Sequence, residues 1–384
     1  MQRRHAAPER ADPDAAPTVA SSSGTTPTGG DDEPTQVSWA LLLGLVLLPI
    51  VAPVALSALG APAPAGRAVD EAIYAVDVSA LQQLADTSAD YSSAAAQLAA
   101  AFVPLARDDS TDSFLEWCAN GTATWAQRVA LSGRYQASLL MQILLGWSHT
   151  DAMASIGHIS LFAASTAQLR HITVVDGTSA SLTLLDIGAG SGSVTQAVAV
   201  AIGALPEQIT AMEASRPHLQ SLAGLGYRSV ASFDELPPPP SPGAGGPGAF
   251  DAVVLFHVMD RCDNPAALLV AAAERVAPGG LLIIATTLPF CPKVWAGKLG
   301  RLMASRQPLG ALTLHADASC DASPQPSFEV SAAAFAAGAL GPLTEPEQGW
   351  QLEMVAWTRL PYISSAVKVS HYALDSALFV LRRG

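Results

Sequence analysis

From Ser181 to the C-terminus, short runs of apolar residues alternate with stretches in which apolar residues recur at helical spacing, the pattern of a parallel sheet covered on both faces. The runs predict seven strands, at Leu182 to Ile187, Gln208 to Met212, Tyr227 to Ala231, Asp251 to Val258, Gly280 to Leu288, Gln351 to Arg359 and Ala373 to Leu381. Crossover helices are expected at Ser193 to Ile202, Arg216 to Leu225 and Pro265 to Val276, the last stopped by Pro278-Gly279-Gly280. The final strand is expected to be antiparallel. The stretch from Pro237 to Gly248 reads as a solvated connector, and a long insertion, 289–326, follows the fifth strand on its ligand side.

Upstream, between Val69 and His171, apolar residues again keep helical spacing, as in Phe114, Trp117, Cys118 and in Leu139, Leu140, Ile143, Leu144, Trp147. This predicts an N-terminal helical cap over 108–180, preceded by a linker or helical segment at 60–107 and followed by the sheet domain at 181–384. The aromatic stripe is expected to be core against that domain, with a ligand surface as the alternative. Residues 1–36 are rich in Ala, Pro, Ser, Thr, Gly and Asp, too poor in large apolar side chains to offset the entropy of ordering, and are expected to be a disordered tail.

Residues 37–59 carry no charge and are long enough to cross a hydrocarbon core, which takes about 20 helical residues. Trp39 could anchor one interface, whereas Pro49 and Pro53 weaken a helix and Ala58, Gly60 and Ala61 resemble a cleavage region. A membrane anchor, a cleaved targeting sequence and a buried helix are all consistent with the stretch. The expectation carried forward is a transmembrane anchor with endomembrane (endoplasmic reticulum) localisation, an organelle-targeted form being the alternative. Asn120-Gly121-Thr122 is a glycosylation sequon that matters only in a secretory lumen.

A net charge of −13 with no basic run argues against a nucleic-acid partner, because phosphate binding relies on clustered Lys and Arg. A neutral or cationic substrate fits better. The four cysteines, Cys118, Cys262, Cys291 and Cys320, have no metal-ligand spacing, so no metal site is expected and no disulfide framework can be read from them.

Asp186-Ile-Gly-Ala-Gly-Ser-Gly192 stands directly between the first predicted strand and a helix. Gly188, Gly190 and Gly192 let the backbone turn sharply and approach a bulky ligand, and Asp186 sits at the strand end. An acid there would repel a phosphate. With Glu213 ending the next strand, at about the 20-residue spacing expected of a ribose-binding acid, the pair suits a ligand with an amino group, a sulfonium and a ribose diol. S-adenosyl-L-methionine has all three; a tight structural turn is the alternative reading of the loop. The ends of the first, second, fourth and fifth strands should converge on one cleft, to which the fourth delivers Phe256-His257-Val258-Met259-Asp260-Arg261-Cys262-Asp263-Asn264-Pro265. Asp263 is the expected cap of the following helix. Asp260, at the strand tip, is the candidate catalytic acid.

Here the chain resembles the DREV-type methyltransferases. The resemblance rests on Leu-Leu-Asp-Ile-Gly-Ala-Gly, on Met259-Asp-Arg-Cys-Asp-Asn-Pro265, on Leu288-Pro-Phe-Cys-Pro292 and on Thr358-Arg-Leu-Pro-Tyr362, and extends through Tyr372-Ala-Leu-Asp375 to Phe379-Val-Leu381. Upstream, Phe114-Leu115 and Gly157-His-Ile-Ser-Leu-Phe162 occupy the family's helical region, so about residues 108–382 are covered. The resemblance implies a seven-stranded, Rossmann-like class I α/β methyltransferase fold and transfer from S-adenosyl-L-methionine to the pros nitrogen of histidine in exposed His-x-His motifs of protein or peptide partners. It implies that Asp186, Gly188, Gly190, Gly192 and Glu213 bind the donor, and that Asp260, His257, Tyr362 and Tyr372 surround the acceptor. For the pros nitrogen to attack, its proton must sit on the tele nitrogen, and a carboxylate such as Asp260 accepting that hydrogen selects the tautomer. Either tyrosine could instead be ordinary core. The chain departs from the family at Ser191, where a second acid is usual, and at His257, where an Asn is implied to hold the acceptor. A small-molecule N- or O-methyltransferase and a non-catalytic binding protein of the same fold are the competing readings, and neither the oligomeric state nor the target is legible.

Overall fold

In the computed structural model, residues 69–156, 161–173, 182–239, 246, 248–296, 301–304, 326–344, 351–365 and 370–384 are described. Short polar side chains start the helices of the N-terminal region. Asp77 accepts from the Ala80 amide at the start of α1 (Val78–Thr87), which is followed by α2 (Ser92–Ala101). Asp108 caps α3 (Asp109–Ala123), and a Thr124/Gln127 capping box opens α4 (Trp125–Leu145). Ser148 caps α5 (His149–Ser155), the two-residue strand β1 (Leu161–Phe162) follows, and a Ser165/Gln168 box opens α6 (Thr166–Ile172).

The sheet domain then alternates as its apolar pattern demands. β2 (Leu184–Ile187), α7 (Ser193–Ile202), β3 (Ile209–Met212), α8 (Arg216–Gly224) and β4 (Arg228–Val230) are followed by β5 (Phe250–Phe256), α9 (Pro265–Ala273) and β6 (Val276–Thr287). A hairpin of β7 (Lys293–Ala296) and β8 (Arg301–Ala304) forms a separate two-stranded sheet. α10 (Phe328–Phe335), a π-helical turn (Ala336–Leu340) and α11 (Gly341–Thr344) lead to the long strands β9 (Leu352–Ser365) and β10 (His371–Arg383).

Among the described residues, the main sheet has eight strands in the order β1-β9-β10-β6-β5-β2-β3-β4, one more than expected, because β1 adds an edge strand paired antiparallel to β9. Two other boundaries differ most. β6 begins at Val276, before the Pro-Gly-Gly stop, and β9 runs past Arg359 to Ser365. Pro361 hides that continuation, but there β9 has only β10 beside it, since β1 pairs just with Ile363 and Ser364, and proline is tolerated where one side of a strand is free. The cap of α9 is Asn264, whose Oδ1 accepts from Ala267 N at 3.0 Å, and not Asp263; Pro265 at the first helical position shifts the cap by one residue.

One face of the sheet buries Leu185, Val253, Leu282 and Phe379 against α1, α2, α9 and α10; the other buries Leu184, Val254, Ile283 and Val380 against α6 and α7. Trp357 on β9 ties the N-terminal helices to the sheet. It is fully buried, its Nε1–H donates to the Leu98 carbonyl at 2.6 Å, and its ring stacks on Phe379 at 5.9 Å. The aromatic stripe expected as core behaves differently. Cys118 is buried, but Trp117 and the α4 residues Leu140, Ile143 and Leu144, together with Trp147, are exposed, while Ser138 and Gln142 occupy buried positions on α4.

The transmembrane helix and the endomembrane localisation expected from 37–59 are corrected: among the described residues, no helix is long and apolar enough to cross a membrane. The longest, α4, has 21 residues but carries Arg128, Arg134, Gln127, Gln136 and Gln142 along it. Residues 37–59 themselves, like the tail before them and most of 297–325, lie outside the described residues.

Truncating Trp357 should separate packing from hydrogen bonding. Trp357→Phe leaves the Leu98 carbonyl without its donor and is expected to cost about 1–3 kcal/mol in chemical denaturation. Trp357→Ala is expected to cost about 3–5 kcal/mol. Equal stability of wild type and Trp357→Phe would remove this indole as the tie between α2 and the sheet.

Candidate active site

The chain leaves β2 for β3 and β4 on one side and returns to β5 on the other, so the carboxyl ends of β2 and β5 form the switch point at which open α/β sheets bind ligands. The loop after β2 and the turn after β5 meet there. Gly188 has φ +78°, and a Cβ on it would lie 2.7 Å from Val258 Cγ2, so the contact requires glycine. The loop is also anchored sideways, with Gly188 N and Ala189 N both donating to the Met212 carbonyl at 2.8 and 3.1 Å.

Within the loop, Gly190 has φ +55° and open space where a Cβ would stand. Its amide donates to Glu213 Oε2 at 2.8 Å, while Glu213 Oε1 accepts from Ser215 N at 2.9 Å. Gly192, with φ +86°, is packed under Leu225 and Leu222 and starts α7. Asp186 lies beneath the loop and is 2% exposed; its Oδ2 accepts from Thr195 Oγ1 on α7 at 2.5 Å. Burial pushes the Asp186 carboxyl up to about 7, opposed by the Thr195 hydrogen bond and reinforced by the Glu213 charge. Ser191 is exposed.

S-adenosylmethionine suits this arrangement. The open side of Gly190 gives a bulky ligand access to backbone, and the Glu213 carboxylate at the loop favours a cationic donor carrying hydroxyls over a phosphate.

The turn after β5 holds the other candidates. His257 has φ +52°, uncommon for a residue with a Cβ, and its amide donates to Ala285 O at 2.8 Å. Its ring is buried against Tyr362, with centroids 3.9 Å apart and 33° between the planes. Neither Nδ1 nor Nε2 has a hydrogen-bond partner. Burial, then the nearby Arg261 charge, hold His257 well below the ordinary histidine value, so the ring is neutral. Asp260, 9% exposed, accepts from Thr287 Oγ1 at 3.2 Å through Oδ2, whereas Oδ1 is buried without a hydrogen bond and lies 3.7 Å from Arg261 Nε. Arg261 donates to the Tyr362 hydroxyl at 2.7 Å and lies 5.3 Å from that ring. Burial foremost pushes the Tyr362 hydroxyl up to about 12, so it stays protonated.

Three of the four acceptor-side candidates, His257, Asp260 and Tyr362, are therefore gathered in one buried cluster. Tyr372 is 40% exposed and sits opposite Ser364 on β10, close enough to contribute to the electrostatics of Arg261. The sequence alone assigns no role to Arg261, Thr195 or Thr287. The position of Thr195, one turn past the loop on the helix that covers Asp186, was a usable signal; the contacts of Thr287 and Arg261 depend on strand register and had none. Cys118 and Cys262 are free thiols, whereas Cys291 is disulfide-bonded, which cysteine spacing did not reveal.

A family model described as DREV methyltransferase matches residues 90–312, more than half of the chain. Ubiquinone biosynthesis O-methyltransferases of Caulobacter sp. (strain K31) and Xanthomonas campestris pv. campestris (strain B100) are each 33% identical, over 113 and 110 residues. Each match covers 27% of this chain, and the chain spans 40% and 42% of the length of these relatives. Among solved structures, the [4+2]-cyclase SpnF is similar over 56% of this chain and 78% of its own, at 16% identity and a TM-score of 0.31. An S-adenosylmethionine dependent methyltransferase from Mesorhizobium loti is similar over 56% and 95%, at 15% identity and a TM-score of 0.32.

The two buried titratable groups bias stability in opposite directions. Asp186, raised, contributes stability that is present below the ordinary carboxylate range and lost as pH rises through about 7. His257, lowered, contributes stability present above the ordinary histidine value of about 6.5 and lost as pH falls below it. Denaturation across this range should show Asp186→Asn gaining on wild type as pH rises from about 5 to about 8, and His257→Asn gaining as pH falls below about 6.5. Stability differences that do not change with pH would contradict buried neutral forms at both positions.

Proposed function

Because the chain belongs to the DREV methyltransferase family, we propose that the methyl group it transfers goes to the hydroxyl of a small aromatic acceptor, with His257 receiving the hydroxyl proton. S-adenosylmethionine is the cofactor and supplies an electrophilic methyl group on a sulfonium. The observation that carries the acceptor reading is the placement of the His257 ring, buried against Tyr362 with no hydrogen-bond partner on either nitrogen. A phenolic hydroxyl, with a pKa of about 10, is a weak nucleophile until its proton moves to a base. An unpartnered neutral imidazole has the lone pair to take it. Arg261 places a positive charge beside the cluster, which favours a developing phenolate. Val258, packed on Gly188, holds this base against the loop that binds the donor, and in-line transfer depends chiefly on such positioning. The O-methylation for which the ubiquinone biosynthesis relatives are named points the same way over the part of the chain they match.

A second reading, pros-methylation of histidine in His-x-His segments, is favoured by one observation: Asp260 Oδ1 is a buried carboxylate oxygen with no hydrogen bond. It could accept the tele N–H of an incoming imidazole and so present the pros lone pair. On that reading Asp260, and not His257, matters most.

The two are separated by incubating the protein with labelled donor and either catechol or an Ala-His-Ala-His peptide, with mass spectrometry of the product. The expected product is a catechol methyl ether. His257→Asn is expected to lower its formation by about 100-fold or more at unchanged donor affinity, and Asp260→Asn to lower it less. No ether, together with pros-methylhistidine that survives His257→Asn and is lost in Asp260→Asn, would replace the first reading with the second. Asp186→Ala or Gly190→Arg should abolish donor binding in calorimetry, since one disturbs the carboxylate under the loop and the other fills its open side.

A further inference from the structure

Arg261 differs from the arginines that hold the fold together. Arg359 pairs with Asp375 at 2.7 Å, while Arg275 donates to the Pro237 carbonyl and Arg383 to the Val276 carbonyl. Among the described residues, the Arg261 side chain makes one hydrogen bond, to the Tyr362 hydroxyl, a neutral acceptor. The Asp260 carboxylate is 3.7 Å from its Nε, beyond hydrogen-bonding distance, and is buried, whereas the Arg261 side chain is 43% exposed. A guanidinium carries five donors in a planar fork that suits a carboxylate, and most of these are unpaired here, at the solvent edge of the cluster.

Tyr362 links this edge to the base. Its ring centroid lies 3.9 Å from that of His257 and 5.3 Å from the Arg261 guanidinium carbon, so one small aromatic molecule can reach both groups. The neighbouring chain adds positive charge, since β7, which begins at Lys293, packs against the turn that carries Arg261. Residues 293–304 contain Lys293, Lys298 and Arg301 and no acid, in a chain whose acidic residues outnumber Lys and Arg by 33 to 20. We propose that Arg261 recognises an anionic group on the acceptor, so that the preferred substrates are phenols carrying a carboxylate; this rests on the hydroxyl-methylation reading above. The net charge of −13 opposes an anion at long range, but salt screens that field beyond about 8–10 Å, and at contact the guanidinium fork dominates.

The test uses the full chain saturated with S-adenosylhomocysteine, so that binding is read without turnover, and compares protocatechuate with its neutral amide, protocatechuamide, by calorimetry at neutral pH. The acid is expected to bind at least about tenfold more tightly, the effect of hydrogen bonds to a charged group. Arg261→Gln is expected to erase that preference, and Arg261→Lys, which keeps the charge but not the fork, to retain part of it. A purely structural role for Arg261 would move both ligands alike. Affinity for S-adenosylhomocysteine, read in the same variants, reports whether the fold survives. Should Arg261→Gln fail to fold, the wild type in concentrated potassium chloride decides, because an exposed ion pair is weakened by salt. Equal binding of the acid and the amide by the wild type overturns the proposal, as does a preference that survives Arg261→Gln or, in its place, concentrated salt. The outcome is distinguishable from failure of the parent reading. Carboxylate-dependent binding without ether formation would leave Arg261 assigned and remove hydroxyl methylation, whereas ether formation from catechol without carboxylate preference would do the reverse.

Discussion

The contact between Gly188 and Val258 is the constraint on which the site depends. A side chain at Gly188 would lie 2.7 Å from Val258, so the close approach of the loop after β2 to the turn after β5 exists only because that position has no Cβ. Everything chemical is arranged on the two sides of this contact. On one side are the open face of Gly190, the pinned carboxylate of Glu213 and buried Asp186. On the other are His257, Asp260 and Tyr362. Methyl transfer is a short-range displacement, and a separation fixed by backbone contact removes the need for a large closing motion to set it.

The electrostatics of the site follow from burial more than from charge pairing. The chain is strongly acidic, yet the two groups deepest in the site, Asp186 and His257, are both driven toward their neutral forms. Arg261 is the fixed cation of the acceptor side, and it is held by the Tyr362 hydroxyl more closely than by Asp260, at 2.7 Å against 3.7 Å. That leaves one oxygen of Asp260 and both nitrogens of His257 with unmet hydrogen-bonding capacity, an arrangement that costs folding energy unless a ligand meets it.

Much of this was legible in the chain. The seven apolar runs fall in β2 to β6, β9 and β10, because a parallel sheet buried on both faces demands uninterrupted apolar strands. The glycine loop and its acids are likewise local signals. What the sequence hid was set by register and packing. The strand beyond Pro361, which carries Tyr362 to His257, depends on β9 lacking a second neighbour at that point. The edge strand β1 is two residues long and leaves no periodicity to read. On α4, helical spacing correctly announced an amphipathic helix, but spacing alone does not say whether its apolar face meets core or solvent, and here Ile143 and Leu144 are exposed.

The positive φ of His257 has an evolutionary consequence. At φ +52° the backbone tolerates glycine, and after it asparagine, aspartate and histidine, far better than β-branched or bulky apolar residues. The backbone therefore acts as a filter on the side chains that can stand at this turn. Drift at this position is confined to a few short polar side chains, among them an amide that can only hydrogen-bond and an imidazole that can also take a proton. A single substitution within that set changes whether the side chain at 257 can take up a proton, while the packing of Val258 on Gly188 beside it is left untouched.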